Sequence, residues 1–289
     1  MDTTERIENA LKNAVERCEG PQAAPSLLAA LRHAVFPGGA RVRPRLTLAV
    51  ARACGDDAPQ LADAVGSAIE LLHCASLVHD DLPCFDDAEI RRGRPSVHKQ
   101  FGEPLAVLTG DALIVLAFET LARGAERWPS RLPRLMSMVG RAAGSPAGLV
   151  AGQAWESETS ADLGVYHRAK TGALFTAATT AGAVAAGADP AAWQALGDRI
   201  GEAYQVADDL SDAVGRPEDL GKPVGRDQAF ERPSAVIELG IEGAVARLHA
   251  LIQSAVGSIP DCRGADGLRQ LVQLQVKRLV PKALDESAA

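Results

Sequence analysis

"AIELLHCASLVHDDLPCFDD", residues 68–87, starts as an apolar helix and ends as a turn. The run up to Val78 lacks strand-like alternation and leads directly into Asp80 and Asp81. Pro83 then disfavours helical geometry at the residue before it, so the helix stops there. Asp86 and Asp87 follow the break. A straight helix does not place residues six apart side by side, but a break lets the chain bring Asp86 back beside Asp80. Carboxylates held this closely repel one another, so a cation from outside the chain is expected.

The same helical patterning runs along nearly the whole chain. Alanine and leucine dominate, aromatics make up 4% and alternating β-branched runs are missing. The periodicity predicts helices over 4–17, 25–34, 44–54, 58–81, 104–123, 131–143, 161–187, 190–213, 231–257 and 265–284. Proline and glycine stretches such as "FPGGARVRP", "RGRPS", "GSPAG" and "GKPVG" separate them. With no linker, repeat or low-complexity tract, the expectation is one all-α domain over residues 1–289. Helices rich in small residues, 172–188 among them, suit close helix contacts or a cavity between helices.

Bulk properties narrow the function. The net charge of −7 argues against a nucleic-acid partner. Five cysteines, scattered and without a CxxC pair, suit reduced, mostly buried thiols in a cytoplasmic protein. The charged N-terminus is not a signal peptide. Thr171 to Ala188 is uncharged and about long enough to span a bilayer, but it is built from Ala, Gly and Thr. A buried helix explains it better, so no transmembrane segment is expected.

A second acidic cluster, "YQVADDLSD" at 204–212, has no proline. Asp208 and Asp212 are one turn apart and share a helix face with Gln205 and Gly201. Like charges at that spacing destabilise a bare helix by about 0.2–0.5 kcal/mol per pair. Either cluster alone also fits a solvated helix end. The pair, each beside lysine, arginine or glutamine, favours a cation site. Carboxylate oxygens suit Mg²⁺, which takes one or two carboxylates plus substrate phosphate oxygens. Anion contacts are offered nearby by "GGARVRP" (38–44), "RRGR" (91–94), Lys170 before a glycine and Lys222 in "GKPVGRD".

These blocks together resemble the trans-isoprenyl diphosphate synthases, or polyprenyl synthetases, from about Phe36 to Gly240. "DDLPCFDD" is similar to the family's first aspartate-rich motif, DDxxxxD. "DDLSD" followed by "LGKPVGRD" resembles the second motif and lysine loop; "GGARVRP", "RRGRPSVH", "AKTGALF" and "AYQVADDL" match the blocks between.

The resemblance implies an isoprenoid-synthase bundle around a central substrate cavity, and a homodimer. It implies Asp80, Asp86 and Asp208 as direct magnesium ligands, supported by Asp81, Asp209 and Asp212, with about three ions bound. Arg91, Lys170 and Lys222 would grip the allylic diphosphate. Gly39, Arg41, Arg43, His73 and Arg92 would meet isopentenyl diphosphate, and Thr171 and Gln205 would border the reacting carbons. The implied reaction ionises an allylic diphosphate (dimethylallyl, geranyl or farnesyl) and condenses it with isopentenyl diphosphate, the departing diphosphate taking the proton.

The family's usual lysine is replaced by Ala40, as in a bacterial subset with GGAR, so Arg41 or Arg43 would compensate. "ERPSAV" departs too: Arg232 keeps the charge but Pro233 alters the backbone. Ala75 and Ser76, five and four residues before Asp80, lie about 6–7.5 Å down the helix, where the growing tail should extend. In the family a large aromatic there stops growth at the C15 product. With Ala75 small, the chain resembles the bacterial geranylgeranyl (C20) diphosphate synthases of carotenoid and chlorophyll pathways. The alternatives are a farnesyl (C15) diphosphate synthase, a class I terpene cyclase and a non-catalytic subunit of an active partner.

Overall fold

The order of elements follows from where proline and glycine interrupt the apolar pattern. The computed structural model describes residues 2–36, 38–158, 162–214 and 234–277. α1 (Thr3–Glu16) buries Ile7, Leu11, Ala14 and Val15, one stripe of an amphipathic helix. α2 (Pro25–Val35) and α4 (Pro59–Asp80) both open on proline, which suits the first helical position. α3 (Val42–Ala53) lies between them. A two-stranded hairpin, β1 (Ile90–Arg91) and β2 (Arg94–Pro95), was absent from the expected elements. Its turn residues Arg92 and Gly93 have φ of 54° and 73°, the left-handed pair that a two-residue hairpin turn requires.

α5 (Val97–Phe101), α6 (Glu103–Gly124), α7 (Leu132–Ala143) and α8 (Leu149–Ala154) follow. α5 and α8 are too short to show in a periodicity reading. The helix expected over 161–187 is interrupted: α9 (Leu163–His167) passes through a π-helical turn, Arg168–Gly172, into α10 (Ala173–Ala185). α11 (Ala191–Val214), α12 (Ala235–Gly257) and α13 (Ala265–Lys277) complete the described chain. Gly240 kinks α12 with φ of 71°.

α4 is the central helix, and 14 of its 22 residues are buried. α6 runs antiparallel to it at close range. A Cβ on Gly124 would lie 2.1 Å from Ala64 Cβ, and one on Gly110 would strike the His79 ring. α10 sits inside the bundle, buried at Leu174, Phe175 and continuously from Ala177 to Ala185. Its small residues do what the composition suggested: Gly182 lies against the Thr47 carbonyl on α3, and Gly197 of α11 against Thr176. α4 and α6 are also long and apolar enough to cross a membrane, but 78% of the apolar window of α4 is buried. One hydrophobic core joins α1 to α8, α10 and α11 with α12 and α13, and a smaller cluster seals α11 to α12. Of the five free cysteines, Cys74 is buried, Cys84 is exposed and the others are half-buried, a more open set than expected.

Candidate active site

The helix periods of α4 and α11 aim two acidic faces at one cavity. His73, Ser76, Leu77 and Asp80 line it from α4, spaced three, four and seven residues apart. Gln205, Asp208 and Asp212 line it from α11. Beyond Asp81 the chain turns back as Pro83 suggested, and Asp86 N donates to the Asp80 carbonyl at 3.0 Å. That hydrogen bond brings Asp86 into the same wall. Arg43, Arg91, Tyr166, Lys170 and Thr171 line the remainder, with Leu149 and Gln153 from α8. The cavity holds about 250 Å³.

Burial pushes the Asp80 carboxyl above the usual range; Lys170 pulls it down and Asp86 pushes it further up. Asp80 Oδ1 is buried without a hydrogen bond, and Lys170 Nζ stands 3.5 Å away. Lys170 is oriented by Glu156, a residue the sequence reading missed. Glu156 Oε1 lies 2.5 Å from Lys170 Nζ and accepts from the Tyr166 hydroxyl at 2.6 Å, while its Oε2 accepts from Gln153 at 2.8 Å. The helical spacing of Gln153 and Glu156 in "GQAWE" was the available signal. The π turn aims Lys170 and Thr171 together, and α8 packs directly on it: a Cβ on Gly152 would lie 2.3 Å from Lys170 N.

Arg43 stacks its guanidinium on Phe175 at 4.4 Å, and its buried Nε has no partner among the described residues. Burial lowers its pKa, and lowers that of His73 well below the ordinary value, with Arg43 adding to the effect. His73 is therefore a neutral imidazole. Arg92 crosses Gly39, where a Cβ would meet its Nε at 3.1 Å. Both stand beside the cavity rather than in its wall, Arg92 lining a small crevice with Asp81 and Cys74.

Three expected contacts are placed elsewhere. Arg41 is buried away from the cavity, donating to Glu8 Oε1 at 2.8 Å, Glu70 Oε1 at 2.9 Å and the Val35 carbonyl at 2.7 Å. Burial lowers its pKa, but the two carboxylates raise it further, and its charge is already neutralised within the fold. Asp81 turns behind α4, where Arg91 Nε donates to its Oδ1 at 2.9 Å. Asp209 lies to one side of the cavity face of α11, 3% exposed, and accepts from Gln205 Nε2 at 2.9 Å and Ala235 N at 2.7 Å. Neighbouring helical residues point about 100° apart, so one aspartate of each pair must leave the wall. Asp81 and Asp209 instead hold Arg91 and Gln205, two residues that line the cavity. For chain length, Ser76 lines the cavity, whereas Ala75 is buried and outside its wall. Lys222 and the Arg232–Pro233 departure lie outside the described residues.

A polyprenyl synthetase family model matches residues 24–265. The chain belongs to the polyprenyl synthetase family. It is 55% identical over 281 residues to a geranylgeranyl diphosphate synthase of Cereibacter sphaeroides, covering 97% of this chain and 98% of that one. A farnesyl diphosphate synthase of Geobacillus stearothermophilus is 39% identical over 260 residues, 86% of each chain. Among solved structures, a Helicobacter pylori geranyltransferase complexed with magnesium and isoprenyl diphosphate is similar, with TM-score 0.80 and 28% identity over 96% of this chain and 98% of that one. A Legionella pneumophila geranyltransferase gives TM-score 0.81 and 27% identity over 96% and 94% of the two chains.

The residues of this polyprenyl synthetase fit magnesium. Asp80, Asp86, Asp208 and Asp212 present hard oxygen donors to one cavity, and Asp80 Oδ1 is buried without a hydrogen bond. Among the described residues no three His, Cys, Asp or Glu converge into a protein-only chelate. Carboxylate oxygens of this kind suit an ion that keeps waters and shares diphosphate oxygens.

Proposed function

We propose that this polyprenyl synthetase condenses isopentenyl diphosphate with allylic diphosphates, its main product being geranylgeranyl diphosphate. The carrying observation is that Asp80 and Asp86 share one cavity with Asp208 and Asp212, with Lys170 and Arg91 in the same wall. That layout suits a diphosphate held between two acidic faces by magnesium.

Lys170 and Arg91 bind the oxygens of the allylic diphosphate, with Lys222 joining them. Bound magnesium, about three ions, supplies positive charge that stabilises the leaving diphosphate. Arg43, with Arg92 beside Gly39, holds isopentenyl diphosphate next to neutral His73. Thr171 and Gln205 border the reacting carbons, and Leu77, Ile90 and Leu149 exclude water that would quench an allylic cation. The departing diphosphate takes the proton, so no histidine base is needed. Ser76 leaves room below the diphosphate for a long tail. The geranylgeranyl diphosphate synthases of Cereibacter sphaeroides and Rhodobacter capsulatus, at 55% and 52% identity, support the C20 product over the C15 product.

A homodimer is part of this reading. α6 turns Val107, Leu108 and Val115 outward at 43%, 52% and 68% exposure, an apolar stripe suited to a second copy. A cytoplasmic setting fits water-soluble diphosphate substrates.

The test supplies dimethylallyl and isopentenyl diphosphates with Mg²⁺ and measures product length. A C20 allylic diphosphate is expected. Magnesium without condensation would sink the reading, and a dominant C15 product would sink its length assignment alone. Cyclic hydrocarbon from geranylgeranyl diphosphate would mark a cyclase instead, and activity appearing only with a second subunit would mark a non-catalytic partner.

A further inference from the structure

The hydrogen bonds that leave the cavity at Thr171 run in one fixed direction. Thr171 Oγ1 donates to Gln205 Oε1 at 2.9 Å. Gln205 Nε2 donates to Asp209 Oδ1 at 2.9 Å. Asp209 Oδ2 accepts from Ala235 N at 2.7 Å, in the first turn of α12. An ionised carboxylate only accepts, so Gln205 must offer Asp209 its NH₂ group. The amide oxygen of Gln205 then faces Thr171 and can only accept, so the hydroxyl proton of Thr171 points away from the cavity. Its lone pairs are left facing the reacting carbons. Asp209 is also held by a backbone N–H at a helix start, so both of its oxygens act as acceptors and the side chain is fixed in place.

We infer that Asp209 is a positioning residue that sets the proton direction of the Gln205–Thr171 pair, so that Thr171 presents oxygen lone pairs to the developing allylic cation. The inference rests on the prenyl-transfer reading of the same cavity. Asp209 does not line the acidic cavity, and both its oxygens are engaged beside it, by Gln205 and Ala235 N.

Asp209→Asn tests this with almost no change in shape. Ala235 N still requires an acceptor, so the Asn oxygen turns to it and the Asn NH₂ turns to Gln205. Gln205 must then flip and offer its own NH₂ to Thr171. The hydroxyl proton of Thr171 is driven toward the cavity and the polarity is reversed. We expect kcat to fall on the order of 10–100-fold, with KM for both diphosphates and the half-saturating Mg²⁺ concentration within twofold of wild type.

In the Thr171→Val background, adding Asp209→Asn should change kcat less than twofold, because no hydroxyl remains to be turned. Ser234→Ala removes the other cap of α12, since Ser234 Oγ accepts from Ile237 N. That variant should lower the melting temperature and leave kcat within twofold. Any of four results overturns the inference: unchanged kcat in Asp209→Asn, a Mg²⁺ requirement raised as much as in Asp208→Asn, independent losses in the double variant, or an equal kcat loss in Ser234→Ala. If wild type makes no prenyl product in the same assay, the prenyl-transfer reading itself has failed.

Discussion

Arg41 Nη1 donates to Glu70 Oε1 at 2.9 Å, and the side chains of both residues are 2% exposed. A charge this deep depends on its partner, since removing one member of a buried pair leaves the other uncompensated, at about 3–5 kcal/mol. Arg41→Met should therefore lower the unfolding free energy measured in urea by about 3–5 kcal/mol. At temperatures where the variant stays folded, KM for isopentenyl diphosphate should remain within about threefold, since the charge of Arg41 is spent on Glu8 and Glu70.

Asp80 and Asp81 are adjacent yet face different partners, so their amides should fail differently. EDTA should abolish turnover, and added Mg²⁺ should restore it. Asp80→Asn removes a cavity carboxylate and should lower kcat by about 10³-fold. Asp81→Asn acts only by loosening Arg91 and should lower kcat by about 10–100-fold, with an unchanged Mg²⁺ requirement.

Ser76 stands one helical turn below Asp80 in the cavity wall. Ser76→Phe should shift the main product toward C15 with little change in melting temperature. Ala75→Phe should shorten the product too, but with a loss of thermal stability. Its side chain starts from a packed helix surface, and overpacking costs about 1–3 kcal/mol. Product chromatography and a thermal melt separate the two.

Gly152 touches the backbone of the π turn. Gly152→Ala puts a methyl group 2.3 Å from Lys170 N, so the turn must move. Activity should fall at least about 10-fold, since a shift of about 1 Å at a reacting group can cost 10²-fold. Gly140→Ala in α7, with open space around it, should be neutral or stabilise by up to about 1 kcal/mol.

Burial, with help from Lys170, lowers the His167 pKa to about 4 from 6.5. The folded protein holds this ring neutral, while the unfolded chain protonates it below 6.5. Stability from this group is complete above pH 6.5 and is lost as pH falls toward 4. The loss is at most about 3 kcal/mol and smaller for a partly exposed ring. His167→Gln should show a shallower fall in urea midpoint between pH 7.5 and pH 5 than wild type.

The helical class and the acidic cavity were legible because both rest on local chemistry. Pro83 forces the break that returns Asp86 to Asp80, and a four-residue spacing puts Asp208 and Asp212 on one face. The partners of Asp81 and Asp209, Arg91 and Gln205, were not legible because identity and spacing do not say how each helix is rotated toward the cavity. Only the bundle decides which member of a DD pair turns inward. Arg41 was misread for a related reason: its partners Glu8 and Glu70 are 33 and 29 residues away. Glu156 reaches Lys170 across 14 residues and a change of helix. The π turn left no trace in an Ala- and Gly-rich stretch whose faces look alike.

The π turn also makes the length of its own segment count. Each residue added to or removed from a helix rotates everything beyond it by about 100°. Deleting one residue from Arg168–Gly172 would let α9 and α10 run as one regular helix. Tyr166 and Glu156 would then lose their alignment with Lys170, although no catalytic side chain had been replaced. Side chains here can be exchanged one at a time, but an insertion or deletion of a single residue should be as damaging as losing an aspartate.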